Sequence, residues 1–121
     1  DGVGTTVTGE ILGLAPGSVH GLHIHNYGDM SDGCKSMGPH YNPYGSPHGA
    51  PTNRSQERHV GDLGNVEADA NGVAQVAYRD RQVWMYGKRS IRGRGLVLHA
   101  KRDDLGRGGT EASVASGDAG A

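Results

Sequence analysis

Residues 22–25 read Leu-His-Ile-His, apolar and imidazole side chains in strict alternation. Successive side chains of an extended strand point to opposite faces, so Leu22 and Ile24 share one face while His23 and His25 share the other. A core on one side of a strand and polar chemistry on its back is a β arrangement, and the rest of the chain agrees. No window repeats apolar residues at helical spacing over three turns, whereas several short segments alternate. The fold class read from this pattern is all-β, with strands expected over residues 6–12, 19–25, 64–68, 73–78, 83–86 and 95–99. Asn71-Gly72 marks a hairpin turn, since both residues tolerate the positive φ of a primed turn. In residues 95–99 the same alternation sends Leu96 and Leu98 inward and His99 outward, toward His23 and His25.

A chain of 121 residues has room for a single domain, 1–121. Its apolar inventory is thin: seven Leu, three Ile, ten Val and no Phe. Low hydrophobicity reads as disorder when net charge is also large, but here the net charge is only -1. A folded chain of this composition needs support from bound metal, a partner subunit or further polypeptide. Balanced charge provides no overall field for nucleic acid or an anionic membrane, so neither is an expected partner. Lys88, Arg89, Arg92 and Arg94 read as a solvated loop, with aromatic interleaving confined to Trp84 and Tyr86. No apolar run approaches the roughly 18 residues of a membrane span, and no segment reads as a signal peptide. The lone cysteine, Cys34, excludes an internal disulfide and a thiolate zinc cluster, which leaves His and carboxylate as metal donors.

The stretch between His25 and Gly64 is rich in Gly, Pro, Asn and Ser, yet it and its edge carry His40, His48, His59 and Asp62. Three imidazoles and a carboxylate are the donor inventory of a closed tetrahedral zinc site. A long loop without apolar anchors loses much conformational entropy on ordering, which a crosslinking metal offsets. His23, His25 and His99 form a nitrogen-only group that suits copper(II), with open-site zinc as the competitor. On donor types alone, redox chemistry and metal-assisted hydrolysis both stay open. Residues 100–121 read as a second long irregular stretch.

The histidines sit in four motifs: Gly21-Leu-His-Ile-His-Asn-Tyr-Gly-Asp29, Gly38-Pro-His-Tyr-Asn-Pro43, Arg58-His-Val-Gly-Asp-Leu-Gly-Asn65, and Leu98-His-Ala-Lys-Arg-Asp-Asp-Leu-Gly-Arg-Gly-Gly109. In this order they resemble copper/zinc superoxide dismutase, from about Thr6 to the end of the chain. The resemblance implies a Greek-key β-barrel or immunoglobulin-like sandwich with two long functional loops. It implies copper on His23, His25, His40 and His99, and zinc on His40, His48, His59 and Asp62, with His40 bridging the two ions. Asp103 matches a carboxylate that links a copper histidine to a zinc histidine, and His20 matches a supporting position. The implied reaction is disproportionation of superoxide to dioxygen and hydrogen peroxide by copper cycling, His40 serving as ligand and proton donor. Lys101, Arg102 and Arg107 are candidates for drawing in the superoxide anion.

A homodimer through Tyr27 and Gly28, a copper chaperone as a further partner, and a cytoplasmic location also follow from the resemblance. The sequon Asn53-Arg54-Ser55 keeps an extracellular location open. Some family features have no counterpart here: the first hairpin, the last strand, an arginine beside copper and a partner for Cys34. The chain therefore reads as a partial domain with incomplete sheet edges. Ala112 and Ala115 stand where the family carries an acid and a lysine, which weakens the expected steering of anions. Arg92 stands where the dimer interface is commonly apolar. The rival readings are a non-catalytic metal-binding module, like the dismutase-like domain of a copper chaperone, and a repeat unit of a longer secreted protein.

Overall fold

A computed structural model describes residues 4–54 and 56–120. Six strands are present among them: β1 (Thr5–Ile11), β2 (Val19–His25), β3 (Ser31–Cys34), β4 (Asp62–Glu67), β5 (Ala74–Asp80) and β6 (Gly95–Leu98). A 3-10 turn at Lys35–Met37 and one short helix, α1 (Glu111–Ser116), complete the order. β1 pairs with β5 in one antiparallel sheet, while β2 lies between β4 and β6 in another. Leu22, Ile24, Leu63 and Val66 from the three-stranded sheet meet Ala74 and Val76 from the other, with Val7 and Ile11 at the margin. This is the expected all-β sandwich; the described strands do not close into a barrel.

The imidazole face of β2 is assembled by a defect in its neighbour. Gly21 pairs with Asn65 but His23 pairs with Asp62, so β4 carries one extra residue between them. Gly64 absorbs it at φ 82, a left-handed conformation that suits glycine. The bulge resets the alternation, so Leu63 and Val66 both enter the core. Asp62 and Asn65, three apart, meanwhile both bond on the opposite side.

The long loop is anchored after all. Tyr41 and Val60 are buried in the core cluster, and Met37 and Ala50 are buried as well. Tyr41 N–H donates to Ile24 O at 2.7 Å, and Ile24 N–H donates to Gly61 O at 2.8 Å, stitching the middle and the far end of the loop to β2. The expectation of a loop without apolar anchors is therefore corrected: single apolar residues amid glycine and proline have no periodicity to announce them.

Other expectations also change. Residues 83–86 are not a strand: Val83 is fully buried while Trp84, Met85 and Tyr86 are exposed. The turn after Ala68 is present, but only Gly72 has positive φ, and Asp69 Oδ1 organises it by accepting from Asn71 N–H and Val73 N–H. Its two arms then part into different sheets. Leu98 packs against the core, but Leu96 is exposed at the outer strand of its sheet, where no described element covers it. Residues 100–121 are not wholly irregular, because Thr110 Oγ1 accepts from Ser113 N–H and starts α1. The sequon includes Ser55, which lies outside the described residues.

Candidate metal centre

His23 and His25 project from the back of β2, His99 follows β6, and the loop returns His40 to bridge against His25. All four are buried, and one donor atom from each lies within 4.8 Å of the others. Their outer nitrogens are already committed. His23 Nε2–H donates to Asp103 Oδ2, His25 Nδ1–H to Gly38 O, and His99 Nδ1–H to Gly120 O, each at 2.7 Å. Those bonds fix the tautomers, as outer partners of metal-binding histidines do. The free nitrogens face inward: His25 Nε2 and His99 Nε2 stand 3.2 Å apart, while His23 Nδ1 and His40 Nε2 are buried without any hydrogen-bond partner. Facing lone pairs and orphaned buried nitrogens are costly unless a cation sits among them.

A second group adjoins the first. His40 Nδ1, His48 Nδ1 and His59 Nδ1 lie 3.0, 2.9 and 3.3 Å from Asp62 Oδ1, and His59 Nδ1 is 3.3 Å from His40 Nδ1. A tetrahedron with metal–nitrogen distances of about 2.0–2.1 Å has edges of about 3.3 Å. His48 Nδ1 is close to Asp62 yet has no hydrogen-bond geometry to it, as expected of two ligands on neighbouring vertices. Donor atoms of His23, His40, His48 and Asp62 also fall within 4.8 Å of one another. His23 belongs better with the first group, because Asp103 holds its Nε2, and His59 completes the second through its contacts to both Asp62 and His40. The residues present thus fit two ions that share the ring of His40.

Asp103 joins the groups from behind, accepting from His23 Nε2–H through Oδ2 and from His48 Nε2–H through Oδ1, both at 2.7 Å. Sequence reading missed its support. Asn65 Nδ2 donates to Asp103 O, and Asp103 N–H donates back to Asn65 Oδ1. Gly117, the C-cap of α1 at φ 72, lies over the pair: a Cβ there would meet Asp103 Oδ1 and come within 2.6 Å of His48 Nε2. His20 stands outside both groups, its Nδ1–H donating to His99 O at 2.7 Å while Ser18 Oγ–H donates to its Nε2. An opening of about 380 Å³ beside His40 and His59 is lined by Asn26, Pro39, Asn42 and Ala115. Lys101, Arg102 and Arg107 are exposed, but Arg107 lines a different cleft, with Leu63, Tyr78 and Pro51.

Charge in the site is uneven. Burial pushes the His23 and His40 imidazoles down to about 4, against the pull of Asp103 and Asp62, and lowers His25 as well. Burial also opposes the charged form of His48, but Asp103 and Asp62 on either side of the ring raise it to about 9. Desolvation alone would raise both carboxyls; their histidine partners hold Asp62 and Asp103 well below the usual range instead.

The metal-free protein is therefore expected to be most stable near pH 6.5. Stability from His48 is full below 6.5 and is lost as pH rises through about 9. His23 and His40 act in the opposite sense, because the unfolded chain takes up protons that the folded one refuses between 6.5 and about 4. Urea midpoints of chelator-stripped protein from pH 4 to 9 measure both limbs, and metal loading should flatten the alkaline one. A metal-free midpoint that climbs from pH 6.5 to 9 contradicts the assignment.

Comparison with known proteins places this geometry in context. The whole chain, residues 1–121, matches the family model described as copper/zinc superoxide dismutase. A Cu-Zn superoxide dismutase of Cryptococcus neoformans is 50% identical over 115 residues, covering 95% of this chain and 73% of the relative. That of Onchocerca volvulus is 51% identical over 124 residues, covering 100% and 77%. Cu-Zn superoxide dismutase 2 of Mesembryanthemum crystallinum is 55% identical over 122 residues, covering 100% and 76%. With half its residues shared with these enzymes and two adjoining donor groups that fit their two metals, the chain belongs to the copper/zinc superoxide dismutase family.

Proposed function

We propose that this chain is a superoxide dismutase that holds copper on His23 Nδ1, His25 Nε2, His40 Nε2 and His99 Nε2, and zinc on His40 Nδ1, His48 Nδ1, His59 Nδ1 and Asp62 Oδ1. Copper, when bound, supplies a one-electron couple and zinc a fixed charge, so that two superoxide ions and two protons become dioxygen and hydrogen peroxide. The single observation behind this reading is that the two ring nitrogens of His40 face different donor groups. With Nδ1 held toward Asp62 and His59, only Nε2 is free to change state. His40 accepts a proton there in one half-reaction and delivers it to departing peroxide in the other. Asp103 keeps His23 and His48 in the tautomers that present Nδ1, and burial keeps the unliganded imidazoles of His23 and His40 neutral and ready for metal.

The test is metal analysis together with a superoxide disproportionation assay. Copper-dependent turnover is expected, as is its loss in His40→Ala. Full binding of both metals without copper-dependent turnover replaces the enzyme with a metal-binding module.

The homodimer, the copper chaperone and the cytoplasmic location stay with this proposal. Among the described residues no helix is long and apolar enough to cross a membrane. Gly28 N–H donates to Gly93 O at 3.1 Å, which sets exposed Arg92 beside the Tyr27–Gly28 face. A two-fold interface is self-complementary, so an interface on this face takes in both copies of Arg92 and desolvates two cations. Arg92→Ile is accordingly expected to tighten the dimer about tenfold or more at low salt, read by sedimentation velocity. An unchanged dissociation constant places the dimer surface elsewhere.

A further inference from the structure

Residues 81–94 carry five cations, Arg81, Lys88, Arg89, Arg92 and Arg94, and no acidic residue, in a chain whose net charge is -1. They form an anchored loop. Val83 and Ile91 sit in or against the core, and Ile91 N–H donates to Trp84 O at 2.9 Å, closing the neck. Ser90 Oγ–H donates to Met85 O at 3.0 Å and Ser90 N–H to Gly87 O at 3.2 Å, fixing the tip. Arg94 is used inside, donating to Ser90 O and Asn26 O with its guanidinium 3.7 Å from the Tyr41 ring centre.

The tip itself turns to water. Trp84, Met85 and Tyr86 are 40%, 41% and 80% exposed, and nearby Tyr44 is 53% exposed. Arg89 lies 4.6 Å from the Tyr44 ring centre and Arg92 5.8 Å from that of Tyr86. Among the described residues Lys88, Arg89 and Arg92 make no ion pair. Three consecutive exposed apolar side chains beside unpaired cations match a surface that is apolar just beneath a layer of negative charge. Trp and Tyr rings settle at the headgroup level of a bilayer, and Lys and Arg beside them are drawn to anionic lipids. A second copy fits less well, since it would oppose like charges. A single nucleic-acid strand needs open ring faces, yet Tyr44 and Tyr86 each have a guanidinium near one face, and Met85 has no ring.

We propose that the tip of this loop, residues 84–89, docks on an anionic phospholipid surface. Trp84, Met85 and Tyr86 enter the headgroup region, while Lys88 and Arg89 meet the lipid charges. The protein lies on such a surface and does not span it. This inference is independent of the dismutase reading.

Trp84 is the only tryptophan in the chain, so its emission reports the docking directly. Metal-loaded protein titrated with vesicles of phosphatidylcholine and phosphatidylserine should show a blue shift, and quenching when the acyl chains carry bromine. Pure phosphatidylcholine vesicles should give neither, and added salt should weaken binding to the mixed vesicles. Lys88→Gln combined with Arg89→Gln should lower the partition coefficient about thirtyfold. Met85→Ser with Tyr86→Ser should lower it without a change of charge. Both pairs face water, so melting temperature and superoxide turnover should stay at the starting values. Failure to bind the mixed vesicles, binding unchanged in the charge variant, or binding without a change in Trp84 emission overturns the proposal. Tight binding of heparin or single-stranded DNA without vesicle binding also overturns it, in favour of a polymer partner.

Discussion

Asp62→Ala is expected to weaken zinc binding about a hundred- to a thousandfold and to destabilise the metal-free protein as well. One carboxylate does two jobs here. Oδ1 meets the Nδ1 atoms of His40, His48 and His59, whereas Oδ2 accepts from His59 N–H at 2.8 Å and Gly49 N–H at 3.0 Å. Structural zinc sites contribute about 10–16 kcal/mol, so one vertex in four accounts for about 3–4 kcal/mol, or a hundred- to thousandfold in affinity. Orphaning two buried N–H groups costs about 1–3 kcal/mol each. Asp62→Asn separates the two jobs, because its amide oxygen can still accept from the loop N–H groups but brings no charge to the imidazoles. Chelator competition should show weak zinc binding in both variants, and urea unfolding of the stripped proteins should show the larger loss only in Asp62→Ala. Wild-type zinc affinity in both variants would remove Asp62 from the ligand set.

That double use also marks the limit of what residue order reveals. The alternation of Leu22 and Ile24 with His23 and His25 is visible because a strand has a period of two, and the four motifs make the histidine inventory legible in the sequence. Asp62 and Asn65 face the same side only because Gly64 takes a left-handed conformation between them, and nothing in the one-dimensional pattern says which glycine will do so. The run Val83-Trp84-Met85-Tyr86 reads as a strand by composition. It turns away instead into a loop closed by Ile91 N–H to Trp84 O, and only Val83 of the four is buried. Helix α1 has six residues, too few to display a helical period, and its cap residue Thr110 looks like any other loop threonine. Gly117 is similar: its need for a bare Cα comes from Asp103 and His48, far away in the chain, passing close over it.

Arg58→Met is expected to destabilise the protein by about 3–5 kcal/mol, a large share of the 5–15 kcal/mol typical of a domain. Arg58 precedes a zinc-group histidine in a polar loop, where an arginine is ordinarily solvated, yet it is only 1% exposed. Its guanidinium donates to Asp80 Oδ2 at 2.8 Å, and to the carbonyls of Pro51, His59 and Val60 at 2.8, 2.9 and 2.7 Å. It therefore ties the loop to the end of β5, where Asp80 pairs with Thr5. Methionine fills much of the same space but leaves the Asp80 carboxylate buried without its cation, which is the costly way to break such a pair. Asp80→Asn added to Arg58→Met should restore part of the loss, and the double-mutant cycle built on those two changes gives the coupling. Because Arg58 holds the carbonyl of His59, zinc should also dissociate faster from the single variant, while copper on His23, His25 and His99 is affected less. Unfolding within 1 kcal/mol of the starting protein would mean that the loop is held by its apolar anchors Tyr41 and Val60 rather than by this ion pair, and equal loss of both metals would mean that Arg58 does not position His59 in particular.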